Sequence, residues 1–519
     1  MLSCVAAVAC SKSAFESNPY EEQFKALSHG MIELGDQLDN PYTVDNMTKA
    51  VESLYPTKAG RVSIDPTDVY VRFLPTSGEQ YDALLGMGVE LLDHPMDYEI
   101  VREGDYYHDP EVEEEDLTWQ YAVVPDGFEF PDTIRYEILQ DCYLPENDPS
   151  TKADGIDWDA VERESFRLTG NGDMLAPLTK DGETSGNMTP SGRITIIDER
   201  HPGEPVGVKG VKVSCNVFVR FASGYTDADG NYKMNKSFSS SPRYRLVFQN
   251  RKGFGIGFNL ILIPASISTL GRSSQEGITC TIDSGSNSSL YARSAVNNAV
   301  YDYFELCNDG ELHMKTPPSN LRIWLLHITS SSSSIMLRQG AIIDGSILSD
   351  YLGVYTALVK MFLPDITVGV RGRMMDYASL YSSTVHECAH ASHYMVVGND
   401  FWNTFIKYIL VSFITSGGIT YGVGTEKDHG YCEVAEMWGY YMEEKLYNMR
   451  YPSTPLTFGT EYWFSPQILS YLDERGMSRF KLFNAFTPEV TDRDALKSKL
   501  VSLYPEFKTT ILQAFSRYN

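Results

Sequence analysis

His386, Glu387 and His390 stand in the order His-Glu-x-x-His within residues 375–397, a stretch that contains neither glycine nor proline. Gly398 follows, and glycine readily takes the left-handed conformation that ends a helix. The spacing predicts a helix whose two histidines, four residues apart, leave the same face and converge on one cation. Neutral imidazoles bind zinc at roughly 2.0 to 2.1 Å, and a carboxylate beside them can serve as base toward a water without itself being a ligand. Glu387 sits on the neighbouring edge of that face, while Val385, Cys388 and Ala389 supply a less polar side for packing. The chemistry implied is metal-assisted hydrolysis, with His386 and His390 as ligands, Glu387 as general base and Zn2+ as cofactor. Two surface histidines on a helix would be the plain alternative. Apolar neighbours and an apolar strand expected at residues 366–370, just ahead of the helix and read as the substrate-binding edge strand, argue against it.

Two histidines and a water leave tetrahedral zinc one ligand short. The continuation His-x-x-Gly-x-x-His is absent, because residues 393 and 396 are histidine and valine. A second helical segment follows instead, carrying Cys432, Glu433, Ala435, Glu436 and Gly439. It resembles the second metal-bearing helix of the gluzincin metallopeptidases. There a glutamate ligand is followed at three and four positions by a small residue and an acid that orients a histidine. The small-then-acid pair matches Ala435-Glu436, which puts the strict ligand position at Cys432 and leaves Glu433 one place displaced. The resemblance implies Glu433 as third ligand, since a glutamate is long enough to absorb part of a helical offset, and Glu436 as the residue that orients His386 or His390 from outside the metal shell. Glu436 and Cys432 remain the alternatives for the ligand. Tyr421, His429 and Tyr431 are candidates to stabilise an oxyanion, and His393 reads as a packed, hydrogen-bonded histidine.

The elements that must position these residues belong to a chain of 519 residues, too long for a single ordinary core. A net charge of -26 opposes phosphate backbones and anionic membrane surfaces, which disfavours nucleic acid as a partner; the metallopeptidase resemblance implies a protein or peptide substrate instead. Between Asp97 and Asp116 lie ten carboxylates and one basic residue, Arg102, which reads as a solvated face. Eight scattered cysteines form no disulfide scaffold, and a Cys280–Cys307 bridge has no support beyond its feasibility.

The expected organisation is multidomain α+β. Residues 1–10 end in Ala7-Val8-Ala9-Cys10, which resembles the lipobox of bacterial lipoproteins; this implies a lipid anchor at Cys10 as the membrane attachment and a place in the Gram-negative envelope, in the outer membrane. Residues 11–185 read as an α/β domain, with helices at 20–34, 44–54 and 77–86 and a strand at 68–74. Residues 186–265 turn to short strands around Pro205-Val-Gly-Val and Thr226-Asp-Ala-Asp-Gly230-Asn-Tyr232. This run resembles the carboxypeptidase regulatory-like module, a transthyretin-like β-sandwich that serves as an accessory domain. Residues 266–519 read as the zincin-like α+β catalytic domain, with a helix at 288–306, a strand at 321–328 and a flexible serine run at 330–334. Taken together, the chain resembles lipoprotein zinc metallopeptidases; an envelope-anchored binding or structural lipoprotein with an inactive zincin domain is the competing expectation.

Overall fold

The computed structural model describes residues 31–57, 63–104, 106–113, 116–152, 155–176, 187–201, 203–257, 267–308, 313–326, 330–341, 363–370, 372–415, 419–459 and 462–518. The lipobox and Cys10 lie outside them. Among the described residues the protein is a mixed α+β structure of ten α-helices and five sheets. No described helix is long and apolar enough to cross a membrane.

Local chemistry places the first elements where the sequence predicts them. Thr43 caps Val44–Leu54 by accepting the Asn46 N–H, Ser77 caps Gly78–Gly86 by accepting that of Gln80, and β-branched and aromatic residues build the strand Asp68–Leu74. That strand pairs antiparallel with Gln120–Pro125 and Arg135–Cys142, so this segment is α+β rather than α/β. Of the helix expected at 20–34, residues 20–30 lie outside the described set. Residues 33 and 34 begin the strand Glu33–Gln37, held by Tyr98–Arg102. The acidic run is not wholly a solvated face either. Asp97 is buried and accepts the Gln37 amide at 2.8 Å and the Tyr70 hydroxyl at 3.1 Å, and Asp109, further along the run, is buried too.

The β-rich segment forms two four-stranded sheets. One orders Asn231–Lys233, Ser191–Ile196 and Cys280–Ile282, with Val206–Gly207 at its side; the other orders Ile267–Arg272, Arg243–Val247, Lys212–Val217 and Arg220–Tyr225. Gly230 turns the chain at φ 84°, where a Cβ would stand 2.1 Å from the Ile194 carbonyl oxygen, so only glycine fits. Both sheets draw strands from beyond residue 265, and the unit therefore runs past the boundary expected there. All six described cysteines, Cys280 and Cys307 among them, are free thiols.

The last segment pairs a sheet with helices. Gly255–Gly257, Arg322–Leu326 and Ile366–Gly369 run parallel, and Ser333–Ser334 closes the order antiparallel to Ile366–Gly369. The serine run is thus no loose connection, and Ile366–Gly369 is an inner strand rather than the edge. Hydroxyls make this possible: Ser332 Oγ accepts the Gly369 N–H, Ser333 Oγ meets Thr367 Oγ1 at 2.9 Å, and Ser334 Oγ donates to the Glu387 carbonyl at 2.7 Å.

One continuous buried cluster runs from Tyr42 through Tyr244 and Tyr377 to Phe515, across all three segments. Polar clamps reinforce it. Fully buried Asp198 accepts the Arg450 guanidinium and the Tyr451 hydroxyl, both at 2.9 Å. Glu199 accepts the Tyr291 hydroxyl at 2.6 Å and the Tyr377 N–H at 3.1 Å. A chain beginning at residue 266 would strip Ile267–Arg272 and Cys280–Ile282 of their partners and open this core. Such a truncation is expected to lose near-ultraviolet circular dichroism and a cooperative melt that the full chain shows; retention of both would contradict the shared core.

Candidate metal centre

The helical run Tyr377–Thr415 is broken at Gly398, whose φ of 74° and ψ of -174° are not helical, so the stop expected there is real. Asp376 starts the run by accepting the Ser379 N–H at 3.0 Å. Against it packs the helix His429–Arg450, the most extensive helix pairing among the described residues. Gly439 sets their separation. A Cβ at that position would stand 2.9 Å from His386 Cε1 and 3.0 Å from His390 Cε1, so the two imidazoles rest directly on the backbone of the facing helix.

In that gap His386 Nε2 and His390 Nε2 lie 3.0 Å apart, and Glu436 spans them, one carboxylate oxygen 3.5 Å from His386 Nε2 and the other 3.6 Å from His390 Nε2. These three buried side chains could hold a metal ion, each offering one donor atom within 4.8 Å of the others. The donor set fits a cation: two imidazoles and a carboxylate converge, and Glu387 Oε2 and Glu436 Oε2 are buried with no hydrogen-bond partner. The four residues are only 3 to 7% exposed, so uncompensated charge here would be costly.

Glu433 is not among the donors. Its carboxylate is taken up by Arg493, whose Nε lies 3.0 Å from one oxygen and whose backbone N–H donates to the other at 3.0 Å. Three residues along a helix turn a side chain about 60° away, and here that rotation separates the two glutamates. Cys432 is buried and burial pushes its thiol up, away from the thiolate that would ligate. Glu436 therefore stands in the position expected of Glu433. The task of orienting a histidine passes to Glu443, two turns further on the same face: Glu443 Oε2 meets His386 Nδ1 at 3.0 Å, and Ser382 Oγ donates to Glu443 Oε1 at 2.6 Å. The signal for this was Gly439, a small residue three places after Glu436, but Ala435-Glu436 offered a small-then-acid pair at the wrong turn.

Electrostatics follow the geometry. Burial opposes charge on His386, yet Glu436 and Glu443 outweigh it and raise the imidazole well above its ordinary range. Burial likewise opposes ionisation of Glu436, and His390 and His386 overcome it to hold the carboxyl down at about 2. Glu387 is raised by burial, the histidines pulling the other way and Glu436 adding to the rise. Tyr421 lies within the field of Glu436 and Glu387, and its hydroxyl is 3.2 Å from that of Tyr440, whose ring meets His386 edge-on at 4.6 Å. His429 and Tyr431 are engaged elsewhere, the first with the Glu426 carbonyl and the Trp463 ring, the second against Phe401. His393 is packed as expected, against Phe401 and Phe486, but neither ring nitrogen has a partner. Comparison with protein-family models, with curated proteins and with solved structures returns no match.

With divalent metal supplied, elemental mass spectrometry of the full chain is expected to find about one ion per chain, set by one three-donor site. His386→Ala and Glu436→Gln should lose it and Glu433→Gln should keep it. Glu443→Gln should weaken affinity by about 10- to 100-fold in a chelator competition; loss through Glu433 alone would reverse the assignment.

A second expectation concerns acid. Burial, then His390, lowers the His393 imidazole from 6.5 to about 3, so the unfolded chain binds the proton more readily. Stability is therefore full above 6.5 and falls as the pH drops from there toward about 3. His393→Phe should flatten that decline in urea midpoints measured against pH; an unchanged slope would place the acid sensitivity elsewhere.

Proposed function

We propose that the protein is a zinc-dependent metallopeptidase of the gluzincin kind, with His386, His390 and Glu436 as ligands and Glu387 as general base. The observation that carries this reading is the buried convergence of Glu436 on the two histidines, with the free oxygen of Glu387 beside them. Two imidazoles and one carboxylate make the donor set of catalytic zinc sites, in which a fourth position stays open to water or substrate. Bound zinc supplies a Lewis acid that acidifies water and polarises a carbonyl.

The chain's own groups supply the rest. Glu387, raised by burial, accepts the proton of the attacking water and returns it to the leaving amine. Tyr421, kept neutral by burial and by the nearby carboxylates, donates its hydroxyl proton to the oxygen on which charge develops, and Tyr440 orients that hydroxyl from 3.2 Å. The strand Ser333–Ser334 stands at the end of its sheet and touches the Glu387 carbonyl through Ser334, and an extended peptide added at that end of the sheet would lie beside Glu387. In this reading the last segment is the zincin-like domain and the paired four-stranded sheets are the transthyretin-like module. A lipid at Cys10 holds the protein in the Gram-negative outer membrane.

The competing reading is a binding lipoprotein with an inactive zincin domain, supported by the departure from the gluzincin spacing and by the two non-catalytic domains. With Glu436 as ligand the small residue falls at Gly439, while Tyr440 stands where the acid is expected and Glu443 meets His386 instead. Zinc-loaded protein incubated with a diverse peptide mixture and followed by mass spectrometry should yield new termini. Glu387→Gln should cut the rate by about 10²- to 10⁴-fold with zinc retained, and Tyr421→Phe by about 10²- to 10³-fold, mainly in kcat. Zinc-loaded protein that cleaves nothing would favour the binding reading.

A further inference from the structure

Tyr421 is followed closely by two glycines. Gly422 takes φ 62° and Gly424 φ 77°, left-handed values that glycine adopts without strain, so residues 419–428 gain little rigidity from their own backbone. A hydroxyl that is to point at one place has to be held from elsewhere. The ring of Tyr421 is met edge-on by Phe464 at 5.4 Å, and the Tyr440 hydroxyl lies 3.2 Å from that of Tyr421.

Two side chains grip the backbone on the other side. Glu426 folds back over the turn, one carboxylate oxygen accepting the Val423 N–H at 2.8 Å and the other the Thr425 N–H at 3.0 Å. Tyr408, buried on the helical run Tyr377–Thr415, brings its hydroxyl 2.9 Å from the Tyr421 carbonyl oxygen and 3.0 Å from Glu426 Oε2. The fit is close. A Cβ at Gly422 would stand 2.6 Å from Glu426 Oε1 and 2.8 Å from the Tyr408 hydroxyl oxygen, and one at Gly424 would stand 2.6 Å from the Trp463 ring. Burial opposes charge on Glu426, and the N–H groups of Val423, Glu426 and Thr425 together with the Tyr408 hydroxyl overcome it, holding the carboxyl down at about 2.

We propose that Glu426 and Tyr408 are positioning residues that set the aim of the Tyr421 hydroxyl by fixing the backbone that carries it. In the metallopeptidase reading, on which this rests, an oxyanion donor has to stand about 2.7 to 3.1 Å from the oxygen that gains charge, and a misplacement of about 1 Å can cost about 10²-fold in rate. Neither residue belongs to the donor set that converges on the metal, and each acts through Tyr421. Their loss therefore slows the chemical step and leaves the binding of metal and substrate as it was.

Two measurements on the full chain test this. On metal-free protein, hydrogen exchange read by mass spectrometry should quicken across residues 419–428 in Glu426→Ala, with residues 429–450 protected as in the wild type. On zinc-loaded protein, with the peptide that the wild type cleaves fastest as substrate, Glu426→Ala should lower kcat about 10- to 100-fold, with KM within about twofold and zinc content unchanged. Tyr408→Phe, a milder change, should lower kcat about threefold or more in the same way. In a Tyr421→Phe background neither change should cost more than about twofold further, because the hydroxyl they aim is gone. Unchanged loop exchange, unchanged kcat, a loss carried by KM or by missing zinc, or losses that multiply with that of Tyr421→Phe would overturn the positioning role and leave the peptidase reading in place. Zinc-loaded wild type that cleaves no peptide would overturn both.

Discussion

The structure depends on charge confined in a narrow gap between two helices. Two carboxylates, Glu387 and Glu436, and two imidazoles are brought together where almost no water reaches, with the partly exposed Glu443 at the edge, and Gly439 brings the helix backbones close enough to make that so. Removing such groups from water costs several kcal/mol per ion unless they are paired. The pairing is arranged in a chain: Ser382 on Glu443, Glu443 on His386, His386 and His390 on Glu436. At its inner end two imidazoles and a carboxylate converge as a donor set that fits a cation.

Contacts from several elements hold the two helices at that distance. The serine strand fastens Glu387 from above and accepts the Trp402 indole N–H at the Ser334 carbonyl. The β-rich unit fastens both helices at once. Glu199 accepts the first N–H of one helix, and Asp198 grips Arg450 at the last turn of the other, where Arg450 also lies over the rings of Tyr377 and Tyr381. Even Glu433 contributes, tying the second helix to the start of Arg493–Leu503.

Much of this was legible in the residues themselves. The helix bearing His386 and His390 was readable because its signals are local: spacing, absence of breakers, and a glycine stop. Thr43 and Ser77 made their helices readable for the same reason. The third donor was not, since choosing between Glu433 and Glu436 requires knowing which face of the second helix meets the first, and that is decided by Gly439 and by Arg493, 60 residues from Glu433. The edge strand was missed because serine carries little strand propensity, and its pairing comes from hydroxyls that find partners only in the folded chain. The boundary near 265 failed likewise, because strand partners at 191–196 and 243–247 are non-local.

The clamp by Asp198 and Glu199 bears on how such a protein can change over generations. An accessory sandwich joined by a linker can be exchanged by recombination, and each half then drifts on its own. Here two adjacent acids on the connection after Ser191–Ile196 complete the ends of the two helices that bear the site, and the sheets share a core with them. A replacement unit lacking those acids would leave the half-buried Arg450 with only the longer ion-pair contact to Asp302, at 3.8 Å. Substitutions in one part are therefore constrained by the other.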